Sequence, residues 1–139
     1  MMTDPMIFLQ IPAKIQFLPA IGKFANGLFA ALEEFFQDEH VSYDLELIVS
    51  EACTNVIRHA YPDRDNPGIL QLKLWYDPHK ICIEIVDFGP GFDLETIEDP
   101  DLKEPKEGGM GLFIIRQLTD RVEYIRDSQG NRLYLEKDL

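Results

Sequence analysis

Residues 45–61 read LELIVSEACTNVIRHAY, and the fold turns on how this stretch is read. Leu45, Ile48, Val49, Ala52, Val56 and Ala60 recur at the spacing of one helix face. The spacing predicts a helix from Ser42 to Ala60, with Ser42 as N-cap and Asp44 and Glu46 favourably placed in the first turn. Tyr61-Pro62 ends it. Glu51, Asn55, Arg58 and His59 fall together beside the apolar stripe. At about 100° per residue, with Glu51 at zero, Asn55 lies at about 40°, Arg58 at about −20° and His59 at about 80°. This polar set borders the core edge. A plain solvated face with a polar network would show the same spacing.

Those residue types have chemistry to offer. Asn55 carries a neutral carbonyl oxygen that can join a Mg²⁺ shell while phosphates supply the charge. Glu51, one turn away, can accept a proton from an attacking hydroxyl. Arg58 can steady a phosphate oxygen. His59 suits a structural bond to a backbone carbonyl better than catalysis. His40 and His79 fall in expected turns, and no spacing supports a zinc site.

Outward from this helix, the chain alternates between strands and helices. Met6–Ile11 predicts a strand closed by Pro12. A helix runs from Pro19 to about Gln37, its stripe formed by Ile21, Phe24, Leu28, Ala31, Leu32, Phe35 and Phe36. Asp63–Gly68 is a polar loop. Ile69–Tyr76 alternates as a strand, Asp77–Lys80 is a turn, and Ile81–Val86 is the return strand of a hairpin. Residues 93–107 hold seven acidic residues, two lysines and two prolines. That composition predicts an exposed, mobile segment, and its length fits a functional lid. Gly111–Leu118 is a helix with Leu112, Ile115 and Leu118 on one face. Strands follow at Arg121–Arg126 and Leu133–Lys137, around a turn at Ser128–Asn131. The economical arrangement is an α/β two-layer sandwich: a mixed, mainly antiparallel sheet covered by helices on one face.

Two glycine-bearing stretches add to the helix. Asp87-Phe88-Gly89-Pro90-Gly91 directly follows the return strand. Gly89 and Gly91 permit a tight backbone path, and an Asp87 carboxylate suits the exocyclic amine of adenine. An ordinary Asx-type turn would use the same letters. Glu107-Gly108-Gly109-Met110-Gly111-Leu112 stands immediately before a helix. Its glycines expose amides, and the helix start adds unpaired N–H groups, so Gly108, Gly109, Met110, Gly111 and Leu112 form a candidate phosphate site. A flexible hinge is the alternative. The lysine of a P-loop is absent, and the context is wrong for a dinucleotide fingerprint.

The chain has 139 residues, enough for one domain over residues 1–139 with the lid near 93–107, and 45% of them are apolar. A formal net charge of −12 disfavours nucleic acid and anionic membranes. It also means that local donors and a divalent cation must offset the global field for an ATP site. Cys53 and Cys82 sit in apolar patterns and read as reduced core residues. With neither a signal-peptide pattern nor a membrane-length apolar run, a cytoplasmic protein is the default expectation.

Taken together, LELIVSEACTNVIRHAY, IVDFGPGFD (85–93) and EGGMGLFIIRQLTDRVEY (107–124) resemble the GHKL ATP-binding superfamily. Within it the chain most resembles the bacterial anti-sigma regulatory factors, serine/threonine protein kinases with a histidine-kinase-like ATPase domain. FLQIPAKIQFLPAIGKFANGLFAALEEF (8–35) resembles the family's first strand and helix more loosely. The resemblance implies a Bergerat-type fold, with Asn55 as the Mg²⁺ ligand and Glu51 as catalytic base. It implies Asp87 on the adenine amine with Gly89 and Gly91 shaping the site, and Gly109 and Gly111 beneath the phosphates. It further implies ATP and Mg²⁺ as cofactors, a homodimer, and phosphorylation of a STAS-domain antagonist in a partner switch that also engages a sigma factor or another regulator. A nonenzymatic ATP-binding module that captures a protein partner is the alternative. The family often has small hydroxyl residues in the final hairpin near adenine. The matching stretch here, Ser128-Gln129-Gly130-Asn131-Arg132, contains no Thr, so water-mediated contacts expected there differ.

Overall fold

The computed structural model describes residues 4–36, 38, 40–60, 68–90 and 110–139; the side chains of His59, Ala60 and Met110 also lie outside that description. Five strands form one sheet: β1 (Ile7–Pro12), β2 (Ile69–Tyr76), β3 (Lys80–Asp87), β4 (Arg121–Asp127) and β5 (Gly130–Asp138). Their order is β1-β2-β3-β5-β4, with every ladder antiparallel. The parallel component of the expected mixed sheet is therefore absent among the described residues. The reason is topological. β3 and β4 run the same way, but β5 lies between them, antiparallel to both.

The period of two along each strand sorts the faces. Leu70, Leu72 and Leu74 of β2, Ile81, Ile83 and Ile85 of β3, and Leu133 and Leu135 of β5 are buried on one face. Burying such a side chain contributes about 1.5–3 kcal/mol relative to exposure, so these rows anchor the sheet. The other face carries a polar ladder: Lys73 pairs with Glu84 at 3.7 Å, Lys80 with Glu136 at 2.9 Å, and Gln71 donates to Gln10. Cys82 and Val86 are nevertheless buried within that ladder.

The helices cover the apolar face. α1 (Leu18–Ala31) buries Ile21, Ala25 and Phe29. It starts with Pro19 in its first turn, where the missing N–H costs nothing. It stops at Ala31, short of the expected end near Gln37, and a 3₁₀ turn at Glu33–Phe35 follows. The chain leaves α geometry at Leu32, with φ −99° and ψ 2°. Phe35 still reaches the core and meets Tyr76 with ring centroids 5.7 Å apart.

α2 (His40–Asn55) buries Leu45, Ile48, Val49, Ala52 and Cys53. It begins two residues before the expected Ser42 cap. Asp38 takes that part, accepting from the backbone N–H of His40 at 2.9 Å through its side chain and from Val41 at 3.1 Å through its carbonyl. From Val56 to Ala60 the helix loosens to π geometry. Cys53 lies so deep that burial pushes its thiol pKa up to about 12, so it is an inert core residue. α3 (Met110–Leu118) sends Leu112 and Ile115 into the core. Among the described residues no helix is long and apolar enough to cross a membrane.

Candidate functional site

Two clusters of polar residues hold the sequence-predicted site residues that the structure describes. The first joins α2 to α3. Glu51 and Asn55 are half-buried and lie one helical turn apart. Both face the first turn of α3. A Cβ placed on Gly111 would come within 2.5 Å of Glu51 Oε2 and 3.4 Å of Asn55 Oδ1. Only glycine fits there without moving Glu51. The close approach brings a carboxylate and a carbonyl oxygen to a helix start, where unpaired amides favour negative charge.

Arg58 departs from the expected arrangement. It is exposed, where regular α geometry would set it beside Glu51 at the core edge. The π segment begins at Val56, and i→i+5 closure turns each residue less far around the axis. Glu51 and Asn55 precede that change and keep their α positions. Leu112 is buried in the core, so it supports α3 from below. Gly91, Gly108 and Gly109, the 93–107 segment and the side chains of His59 and Met110 lie outside the described residues.

The second cluster closes the end of β3. Asp87 is only 1% exposed, on the same strand face as Ile81, Ile83 and Ile85. Its Oδ1 accepts from the backbone N–H of Gly89 at 3.1 Å, which is an Asx-type turn. The same oxygen accepts from Asn131 Nδ2 at 2.8 Å. Asn131 Nδ2 also donates to the Gly89 carbonyl at 2.8 Å. Arg126 of β4 donates to the Pro90 carbonyl at 2.8 Å and holds the same loop from the other side. Burial raises the Asp87 pKa, while the donors Asn131 and Gly89 and the Arg126 charge partly oppose that rise.

Asn131 is the residue that sequence reasoning placed in a turn. It is the second residue of β5, directly opposite Asp87, and it is buried. The signal was present: counting back by twos from Leu135 and Leu133 puts Asn131 on the core face. The hairpin turn is shorter than expected because Gly130 already pairs with Asp127. Gly130 has φ of 121°, and a Cβ on it would stand 2.9 Å from the Asp87 carbonyl and 3.1 Å from the Phe88 ring. Glycine is required there for both reasons.

The fit of a cation can be judged from the donors. Asn55 Oδ1 and Glu51 Oε2 are hard oxygens facing one helix start. One or two such oxygens suit Mg²⁺, which keeps several waters and takes phosphate oxygens as further ligands. Among the described residues no group of three or more His, Cys, Asp or Glu stands ready to form an all-protein metal cage.

Comparison with known proteins places the chain in a family. A model of the histidine kinase-like ATPase domain matches residues 11–137. The serine-protein kinase RsbW of Staphylococcus aureus strain bovine RF122 / ET3-1 is 32% identical over 133 residues, covering 90% of this chain and 82% of that protein. The same figures hold for RsbW of strain MRSA252. The solved histidine kinase domain of the Erythrobacter litoralis EL346 blue-light activated histidine kinase aligns with TM-score 0.53 at 19% identity, over 86% of this chain and 61% of that one. A larger structure of that kinase gives TM-score 0.54 at 20% identity, over 93% of this chain and 42% of that one. These two structural likenesses speak for the fold. With the helix pair, the glycine contact and the buried Asp87 in place, the chain belongs to the histidine kinase-like ATPase domain family, as its resemblance to the anti-sigma kinases implied.

Proposed function

We propose that this chain is an ATP-dependent serine/threonine protein kinase of the anti-sigma regulatory type, phosphorylating a STAS-domain antagonist and acting by partner switching. One observation carries the reading: the start of α3 meets both Glu51 and Asn55 across Gly111. In this reading that helix start is the phosphate site, Glu51 the base and Asn55 the cation ligand. The kinship with serine-protein kinases supports phosphoryl transfer to a hydroxyl.

Each residue then has a task. The first-turn amides of α3 receive phosphate oxygens. Asn55 would hold Mg²⁺, and the ion would supply neutralising charge to the phosphates. Glu51 takes the proton from the incoming serine or threonine hydroxyl as its oxygen attacks the γ-phosphorus, the bond from that phosphorus to the β,γ-bridging oxygen breaks, and ADP leaves with the freed electron pair. Asp87 accepts from the adenine amine. Gly89 and Gly91 shape the base pocket, and Arg58, from its exposed position, steadies a phosphate after the ligand arrives. Gly108, Gly109 and Met110 extend the phosphate contacts through their backbone. A homodimer, and a sigma factor or another regulator as second partner, complete the proposed switch.

Labelled ATP, magnesium and the STAS-domain proteins of the native host provide the test. Transfer of the γ-phosphate to one of them is expected from the unaltered chain. Glu51→Gln should reduce that transfer about 10²–10⁴-fold, the usual worth of acid–base assistance, with little change in nucleotide affinity. Asn55→Ala should weaken magnesium-dependent ATP binding in calorimetry while the circular dichroism spectrum is retained. Robust transfer by Glu51→Gln removes Glu51 as base. Partner capture without any transfer would leave a nonenzymatic regulatory module.

A further inference from the structure

The loop that follows β3 is held by side chains from three strands. Asp87 of β3 stands opposite Asn131 of β5, and Asn131 stands opposite Arg126 of β4, so the three form one row across the sheet. Each engages a backbone group of the loop in turn. Asp87 Oδ1 accepts from the Gly89 N–H at 3.1 Å, Asn131 Nδ2 donates to the Gly89 carbonyl at 2.8 Å, and Arg126 donates to the Pro90 carbonyl at 2.8 Å. Proline has no N–H, so the backbone polar groups of Gly89 and Pro90 are all engaged. β4 lies two strands from β3, about 9–10 Å at the usual spacing. Only a long side chain reaches over Asn131 to the loop.

Resting on the adenine reading above, we infer that Arg126 is a positioning residue: its side chain straps the loop after β3 to the edge strand and so holds one wall of the base pocket. Arg126 is exposed, so losing its bond costs the fold little. Water can take its place on the Pro90 carbonyl. The Asx-type turn and the Asn131 bond would still hold Gly89, but the Pro90 end of the loop would lose its link to β4. The Arg126 charge also opposes the rise that burial imposes on the Asp87 carboxyl. Both effects act at the base. A cation that merely attracted phosphates would act on the triphosphate instead.

The test separates base from phosphates. Affinities are measured for ATP and for adenosine, which has the base alone, with NMR titration for the weaker ligand. Arg126→Met keeps a long apolar stem but removes the donor and the charge. It should weaken ATP and adenosine by the same factor, about threefold to tenfold, the scale of one net hydrogen bond. Arg126→Lys retains a charged donor and should recover most of the loss. Arg126→Gln, too short to cross the gap, should repeat the loss and carries the comparison if Arg126→Met does not fold. A loss for ATP with adenosine unaffected would make Arg126 a phosphate-attracting cation and overturn the inference. Unchanged affinity for both, with or without a lower melting temperature, would leave it a structural residue and overturn the inference as well. An unaltered chain that binds ATP but not adenosine would overturn the adenine reading itself, and the strap with it.

Discussion

Asp87 shows how one residue can be useful and costly together. Its carboxyl lies almost wholly away from water, and its pKa is raised chiefly by that burial. The folded chain thus holds the proton more tightly than the unfolded chain. Stability from this residue is present below the ordinary value of 3.8 and is lost as pH rises through the raised folded value. At neutral pH the ionised group is a standing cost. Asp87→Asn removes the charge yet keeps an oxygen to accept from Gly89 and Asn131. The variant should therefore show an equal or higher urea midpoint at pH 7. Its amide nitrogen would face the adenine amine donor to donor, so ATP affinity should fall about tenfold or more. Denaturation curves and calorimetry on one preparation would separate the two effects; a lower midpoint would show that the ionised carboxylate stabilises the fold.

The contact between α2 and α3 is where local packing governs chemistry. Gly111→Ala would insert a methyl 2.5 Å from Glu51 Oε2. That oxygen ends a flexible side chain, so the fold can yield, and alanine is the better helix former by about 1 kcal/mol. The thermal midpoint should hold or rise, while phosphoryl transfer should fall about 10²-fold, the scale of a displacement near 1 Å. Parallel melting and transfer assays decide; unchanged transfer would show that the Glu51 position is not critical. Much at this scale was legible beforehand. Ile69–Tyr76 was readable in full because its Leu residues alternate with Gln71 and Lys73. The return strand was nearly so, missing only Lys80 and Asp87, whose polar side chains hide a strand end. Glu51, Asn55 and Gly111 were recognisable because helical spacing and glycine clustering are local signals. The start of α2 was not, since Asp38 caps through a bond whose geometry spacing does not encode. Nor was the π segment over Val56–Ala60, since helical spacing is read at 3.6 residues per turn. Asn131 escaped because its partner lies 44 residues away, and only the β3–β5 register unites them.

Over the whole molecule, charge opposes the proposed ligand. A net charge of −12 gives a repulsive field to a polyphosphate approaching from solution. Screening by salt shortens the reach of that field, from about 30 Å at 0.01 M to about 8 Å at 0.15 M. The association rate of Mg-ATP should consequently rise with ionic strength over this range, in contrast to a basic nucleotide site. Stopped-flow binding with a fluorescent ATP analogue would show it; a rate falling with salt would mean that local amides outweigh the global charge. The sheet order adds a consequence in time. β5 is synthesised after the other four strands, yet it is inserted between β3 and β4. A nascent chain still holding this segment in the ribosomal tunnel can pair β1, β2 and β3 but lacks both the link to β4 and the amide that restrains Asp87. On the proposed function the base pocket is complete only once β5 has docked beside β3, so a chain truncated before Gly130 should not bind ATP.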